Sequence, residues 1–217
     1  MRLYLSSFRI GDHPAELTRL APPPGPALII ANACDDAEPA DRRSAVEAEA
    51  IALGALGYRT RELDLRDHLD EPAALLEELS AAALLWVRGG NVFALRHALH
   101  RTGADAMISR LLTGDAVVYA GYSAGPCVLA PSLRGLEACD DPGAVERVWG
   151  EPATCTGLGV LDYAIVPHVD TPDHPESSVL EQVASRYAAA GVPHRTLRDG
   201  DVLVVEGDST RVLPRRR

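Results

Sequence analysis

A serine lies between two glycines in residues 121–125, which have the sequence GYSAG. The residues before this segment predict a short buried strand, and the small residues after it predict a helix. A serine at such a junction occupies a sharp, strained turn that exposes its hydroxyl and directs the next N–H into the same space. Ser123 is therefore a candidate nucleophile, the alternative being an unreactive serine in a glycine-rich bend.

A serine nucleophile needs a base, because its hydroxyl attacks poorly by itself. His168 directly follows a predicted strand over residues 163–166, so we expect it at the same sheet edge as Ser123. His174 lies in a loop rich in proline and aspartate, and His194 follows a predicted helix. The pattern favours His168 as the base over the alternative of a structural loop histidine.

A carboxylate that orients the histidine would complete a triad. The candidates are Asp140, Asp141, Asp170, Asp199 and Glu206. Asp170 is only two residues from His168, so its side chain has difficulty reaching the ring. Asp199 lies in a turn after the last predicted helix and can approach the sheet edge. The residues alone leave this choice open.

A glycine pair follows another predicted strand, in the sequence Arg-Gly-Gly-Asn at residues 88–91. Such a loop before a helix presents free backbone N–H groups, which suit a tetrahedral oxyanion. A phosphate site is disfavoured, because the chain has neither a lysine nor a GxGxxG pattern. Asn91 is expected to cap the following helix whichever group the loop binds.

Short apolar strands alternate with helical patterns along most of the chain. The strands are predicted over residues 3–7, 27–33, 58–65, 82–87, 116–120 and 163–166, with further strands between 196 and 213. The helices are predicted over residues 44–56, 72–79, 92–101, 105–112 and 178–190. This alternation predicts a mostly parallel sheet covered by helices on both faces, with reactive groups at the carboxyl ends of its strands.

The overall composition limits the size of the fold, the cellular location and the partners that can be expected. The chain has 217 residues, 47% of them apolar, which fits one domain with a sizeable core. No apolar run approaches the ~20 residues of a membrane span, and the first residues predict a strand, not a signal peptide, so we expect a cytoplasmic protein. The net charge of −10 disfavours nucleic acid and anionic membranes as partners.

The four cysteines, Cys34, Cys127, Cys139 and Cys155, have no CxxC spacing. Neither a disulfide framework nor a zinc site is therefore expected. Cys127 lies close to Ser123 in sequence and could be mistaken for a nucleophile. If the segment after Ser123 is helical, Cys127 lies one turn further on and is expected to be a buried packing residue.

Taken together, these segments resemble the peptidase E family of serine peptidases, which is related to cyanophycinase and, in fold, to class I glutamine amidotransferases. The resemblance spans most of the chain and depends on RGGNVFAL, YAGYSAGPCVLAPSLR, VPHVD and LRDGD, in that order. It implies an α/β three-layer sandwich with a mostly parallel central sheet, of the class I glutamine amidotransferase-like (flavodoxin-like) kind. One catalytic domain would then cover residues 1–217.

The resemblance also implies a role for individual residues. Ser123 matches the family nucleophile, His168 matches the base, and Gly90 and Ala124 match the backbone donors of the oxyanion hole. The third member in the family is a glutamate in a Leu-Pro-Glu-Gly type turn, and Asp199 falls on that position. Because aspartate is shorter, the backbone must bring Asp199 closer to the histidine.

Two positions depart from the family pattern. Arg88 stands where the family commonly has the first of three glycines. Peptidase E favours substrates with an N-terminal aspartate, and an arginine soon after the catalytic histidine recognises that aspartate. In this chain the position of that arginine falls near Ser178. No arginine occurs between His168 and Arg186. Arg88, Arg134 or Arg186 would have to supply the charge.

The expected activity is that of a serine-type peptidase acting on short peptides, dipeptidase-like, with N-terminal Asp-X among the substrates to test. It would use a Ser-His-Asp triad and an acyl-enzyme, without metal or cofactor, as a monomer or homodimer. The alternatives are an amide or isopeptide hydrolase on the same scaffold and a binding protein without turnover. The resemblance also implies a runner-up to Asp199, because an aspartate after the nucleophile helix is considered important in the family and Asp140 or Asp141 can fill that place. A conventional α/β-hydrolase is a further alternative, and it too would use Asp140 or Asp141 because it places the acid before the histidine.

Overall fold

The computed structural model describes residues 1–216, so Arg217 of the expected domain lies outside the described residues. The strands are β1 (Arg2–Ser6), β2 (Pro26–Ile30), β3 (Arg59–Glu62), β4 (Leu84–Val87), β5 (Val118–Tyr122), β6 (Ala164–Val166), β7 (His194–Thr196), β8 (Val202–Glu206) and β9 (Ser209–Leu213). The α-helices are α1 (Pro14–Leu20), α2 (Pro39–Gly54), α3 (Pro72–Ala81), α4 (Val92–Arg101), α5 (Ala104–Thr113), α6 (Ala124–Cys127), α7 (Gly143–Trp149) and α8 (Ser177–Ala190).

Seven strands form the central sheet, in the order β3-β2-β4-β5-β1-β8-β9. The first five strands of this order run parallel to their neighbours, and β8 and β9 are antiparallel. The prediction of a mostly parallel α/β sheet is confirmed. The carboxyl ends of β1, β4 and β5 consequently lie side by side.

Helices cover both faces of this sheet, because alternate residues of the buried strands point to opposite sides. Leu85 and Val87 of β4 pack into a core that includes α4, α5 and α8. Leu84 and Trp86 of the same strand pack into a second core with Leu17 of α1. The result is the expected three-layer arrangement.

The strand expected over residues 163–166 forms as β6, but it does not join the central sheet. It pairs in parallel with β7 in a separate two-stranded sheet. The expectation that β6 ends at the edge of the central sheet is therefore wrong. No place beside β5 is left for β6, because β5 has β4 and β1 as neighbours and β8 lies on the other side of β1.

The helices agree best with the sequence where capping residues mark their ends. Helix α4 has the predicted bounds, and Asn91 Oδ1 accepts the N–H groups of Phe93 and Ala94 as the predicted cap. Helix α8 ends at Ala190, and the predicted stop residue, Gly191, follows it with a positive φ of 68°. Helices α1 and α7 were not predicted. Within residues 1–216, no helix is long and apolar enough to cross a membrane.

Candidate active site

Ser123 lies between β5 and α6 with φ 53° and ψ −111°, a strained conformation for a residue with a side chain. The glycines on either side are required by the neighbouring strand. A Cβ atom would lie 2.2 Å from the Val87 carbonyl oxygen at Gly121, and 2.5 Å from it at Gly125. The prediction of a strained turn between a strand and a helix is confirmed, although α6 has only four residues.

Gly90, at the end of the loop after β4, has φ 144° and lies against the backbone of Ala33. A Cβ atom at Gly90 would be 2.5 Å from the Ala33 oxygen, which also accepts the Asn91 N–H at 2.8 Å. Within residues 1–216, the N–H groups of Gly90 and Ala124 donate to no other group. Both remain available to an oxygen atom in the adjacent cleft.

Asp199 contacts His168, with 2.6 Å between Asp199 Oδ1 and His168 Nδ1. The pairing of β6 with β7 continues beyond the strands, because Leu197 donates to the Val166 oxygen and Val169 donates to the Leu197 oxygen, each at 3.0 Å. This extension carries the Asp199 turn to the histidine. The shorter acid that replaces the family's glutamate thus reaches the imidazole through its backbone position.

Ser7, at the end of β1, links the three candidate triad residues and was missed in the sequence. Its carbonyl oxygen accepts the Ser123 N–H at 3.2 Å. Its hydroxyl accepts the His168 N–H at 2.8 Å and donates to Asp199 Oδ1 at 2.8 Å. No local pattern marks such a residue, because its partners are more than 110 positions away in the chain.

The other carboxylates considered as the triad acid have different partners. Asp140 Oδ2 accepts the N–H of Val92, at the start of α4, at 2.9 Å. Asp141 pairs with Arg147, Asp170 pairs with Arg198, and Glu206 pairs with Arg19. Within the described part of the chain, none of these four bonds to the His168 ring.

Ser123 and His168 line one cleft of about 460 Å³, a volume typical of small-molecule sites. No hydrogen bond joins their side chains in residues 1–216, and such bonds are often long before substrate binds. Asp199 holds Nδ1 of the His168 ring, which leaves Nε2 as the nitrogen available to the serine.

Two arginines and three acids give the cleft both signs of charge. The charged lining residues are Arg9, Asp36, Arg88, Asp140 and Glu176. Of the arginines considered from the sequence, Arg88 lines the cleft, whereas Arg134 and Arg186 are not among its described lining residues. Arg9 was not considered, and its guanidinium lies 5.2 Å from the centre of the Phe8 ring.

His174 stacks on His168, with ring centres 3.6 Å apart and planes 2° from parallel. With Asp199 they form a group whose nitrogen and oxygen atoms lie within 4.8 Å of one another. This could suggest a metal site. However, two flat-stacked imidazoles direct their lone pairs along parallel lines, so both cannot point at one ion unless the rings separate.

Electrostatics distinguish Asp199 from the cysteines near the cleft. Burial raises the pKa of Asp199, but hydrogen bonds from His168 and Ser7 outweigh burial and hold that pKa below its usual value. Burial raises the pKa of the Cys127 thiol well above its ordinary value, and the side chain is 4% exposed. Cys127 is thus the predicted buried packing residue, without the thiolate character of a nucleophile.

Comparison with known proteins gives consistent matches. The model of peptidase family S51 matches residues 36–213. An uncharacterized peptidase of Listeria innocua, Lin0382, is 29% identical over 160 residues, which are 73% of this chain and 72% of that protein. Peptidase E of Streptomyces coelicolor is 35% identical over 142 residues, which are 64% of this chain and 54% of that protein.

Solved structures share the whole fold. A crystal structure of a Listeria monocytogenes EGD-e protein assigned to peptidase E superposes with a TM-score of 0.80 at 21% identity, covering 98% of both chains. A peptidase from an acI-B1 Actinobacterium gives a TM-score of 0.67 at 17% identity, covering 98% of this chain and 87% of that one.

Proposed function

The chain belongs to peptidase family S51 and is a serine-type peptidase, and we propose that it hydrolyses short peptides with Ser123, His168 and Asp199 as its triad. The observation that carries this assignment is the contact of 2.6 Å between Asp199 and His168, beside a cleft that the strained Ser123 also lines. The N–H groups of Gly90 and Ala124 form the oxyanion hole in this proposal.

In the proposed reaction, Ser123 Oγ attacks the scissile carbonyl carbon while His168 Nε2 accepts the hydroxyl proton. The carbonyl oxygen becomes an oxyanion, which the two N–H groups stabilise, each donor typically contributing about 3–4 kcal/mol. The histidine then protonates the leaving amine as the C–N bond breaks. Water attacks the acyl-enzyme with His168 again as base, and this step releases the acid and restores Ser123.

The substrate class we propose is a dipeptide or similarly short peptide, with N-terminal Asp-X as the first candidate. Arg9 and Arg88 line the cleft and can attract a substrate carboxylate. Arg88 is partly engaged, since its Nη1 lies 2.7 Å from the Gly89 oxygen and its Nε lies 3.5 Å from Glu49. Arg9 also lines the cleft, and its guanidinium lies over the Phe8 ring, 5.2 Å from the ring centre, which favours Arg9 as the reader of that charge.

The setting we propose is a single catalytic domain working in the cytoplasm, as a monomer or homodimer. Its partners are peptides, and its net charge of −10 makes nucleic acid an unfavourable partner.

The test is hydrolysis of a dipeptide panel that varies only the first residue, including Asp-Leu, Asn-Leu and Ala-Leu, by the purified chain and by Ser123→Ala. We expect the variant to lose at least about 10³-fold in kcat, because the nucleophile is absent. We expect Asp-Leu to be the best of the three. Undiminished cleavage by Ser123→Ala would overturn the triad, and preference for Ala-Leu would overturn the substrate class alone.

A further inference from the structure

His174 lies in the loop between β6 and α8, six positions after His168, and the triad does not use it. Its ring covers one face of the His168 imidazole at 3.6 Å. Phe8, from the loop after β1, approaches both rings edge-on, with ring centres 5.9 Å from His168 and 5.7 Å from His174. The base is therefore held between groups from two parts of the chain.

The His174 ring is itself fixed by a hydrogen bond. The backbone N–H of Glu176 donates to His174 Nδ1 at 3.3 Å. A ring nitrogen that accepts a hydrogen bond carries no proton, so His174 is neutral in this arrangement, with its proton on Nε2. Burial and the positive charge that His168 can carry both lower the pKa of His174, which favours the same neutral form.

Resting on the proposed function, we propose that His174 is a positioning residue for the base, holding the plane of the His168 ring by stacking. Rotation of the His168 ring about its Cβ–Cγ bond would break the contact of 2.6 Å between its Nδ1 and Asp199. A flat neighbour at 3.6 Å blocks that rotation, because the turned ring would collide with it. The stack thus keeps Nδ1 on the acid and Nε2 available to Ser123.

The charged groups around the stacked His168 and His174 rings determine the pH at which this arrangement is lost. The groups that face His174 are His168 after β6, Asp199 after β7 and Glu176 in its own loop. Asp140 acts on the stack through His168, and Arg9 lines the same cleft. Protonation of His174 would remove the acceptor for the Glu176 N–H and place a second positive charge against an imidazolium. A second proton should therefore contribute to the loss of activity at acidic pH.

The experiment compares His174→Ala with His174→Phe, in which a ring remains but cannot titrate. The full chain is assayed for kcat and KM on the best dipeptide between about pH 5 and pH 9, and for the rate at which a fluorophosphonate labels Ser123. His194→Ala, at a partly exposed histidine on β7 that does not line the cleft, is the control. Thermal unfolding of each variant establishes that it is folded.

We expect His174→Ala to lower kcat and the labelling rate by about 10- to 100-fold with KM changed less than about threefold, because a misplaced base slows the chemical step. His174→Phe should keep most of the rate and should lose less activity at acidic pH than the native chain, because its ring cannot take up a proton. His194→Ala should behave as the native chain does.

Three results would overturn the proposal: an unchanged labelling rate in His174→Ala, an equal loss in the Ala and Phe variants, or a change confined to KM. Failure of the proposed function gives a different result. In that case either the native chain would cleave no peptide although Ser123 is labelled, or cleavage would survive in Ser123→Ala. The labelling rates would still decide the role of His174.

Discussion

Asp199 contacts the His168 ring and Asp140 lines the cleft, and their surroundings shift their pKa values in opposite directions. For both side chains, burial is the largest influence and raises the pKa. Asp199 faces two donors, the His168 ring and the Ser7 hydroxyl, and they bring its pKa below the usual value. Asp140 receives one backbone N–H and lies near Glu176 and Asp36, and its pKa rises to about 7.

This difference has two causes, since Asp140 is more deeply buried than Asp199 and receives fewer hydrogen bonds from donors that carry charge. A carboxylate that must stabilise an imidazolium has to remain ionised at the pH of catalysis, and Asp199 has the donors to do so. Asp140 loses hydration without gaining an equivalent charge partner. The comparison therefore favours Asp199 over its runner-up on electrostatic grounds as well as by contact.

The largest expected effect on kcat comes from replacing Asp199 and Asp140, one at a time, with asparagine. Asp199→Asn should lower kcat by about 10³- to 10⁴-fold, because an amide neither stabilises the imidazolium nor holds the required tautomer. Asp140→Asn retains an oxygen for the Val92 N–H and should stay within about fivefold of the native kcat. Steady-state kinetics on one dipeptide measure both, with the unfolding temperature as the check on folding. A larger loss of kcat in Asp140→Asn than in Asp199→Asn would reverse the comparison.

A smaller effect is expected from Ser7, which supplies one of the two donors that distinguish Asp199. Ser7→Ala removes that donor and leaves the buried His168 N–H without an acceptor, at a cost of about 1–3 kcal/mol. We expect kcat/KM to fall by about 10- to 100-fold, because Asp199 loses one of its two donors and the His168 backbone loses its acceptor.

The matched control for this variant is the neighbouring serine, which is the last residue of β1. Ser6 is equally buried, but its hydroxyl bonds to the carbonyl oxygens of Arg9 and Gly121 and not to the triad candidates. Ser6→Ala should therefore cost stability with a smaller loss of activity. Equal losses of activity at equal unfolding temperatures would show that Ser7 acts only through packing.

The sequence predicted the nucleophile side of the site because its determinants are local. The strand, the two glycines and the following small residues are contiguous around Ser123, and the Asn91 cap lies within three residues of its partners. Local patterns of this kind specify backbone geometry before tertiary contacts are considered. The bounds of α4 and the strained φ of Ser123 follow from them.

The base side was predicted less well because long-range pairing determines it. The motif containing His168 could be located, but the separate sheet that carries it could not, since the residues of β6 pair with residues 30 positions later in the chain. Ser7 and His174 act through contacts that no spacing rule reveals. Asp199 could be named as a candidate, yet its contact depends on the extended pairing of β6 and β7.

The smallest expected effect is on the free energy of unfolding, and it tests whether folding raises the pKa of Asp140. With a folded pKa of about 7 against roughly 3.9 in the unfolded chain, Asp140 keeps a proton on folding that the unfolded chain has released. Stability from this group is therefore full below about pH 4 and declines as pH rises towards about 7. Asp140→Asn cannot lose a proton. Its free energy of unfolding relative to the native chain should rise by about 2–3 kcal/mol between pH 5 and pH 8.5.

Denaturant unfolding at the two pH values measures this difference, with Asp141→Asn as the matched control. Asp141 is exposed, and hydrogen bonds from Arg147 and the Gly143 N–H lower its pKa, so its replacement should produce no such rise. A constant difference between Asp140→Asn and the native chain at both pH values would mean that folding does not shift the pKa of Asp140. Asp140 would then be an ordinary carboxylate beside the cleft, and contact with His168 alone would distinguish Asp199 from it.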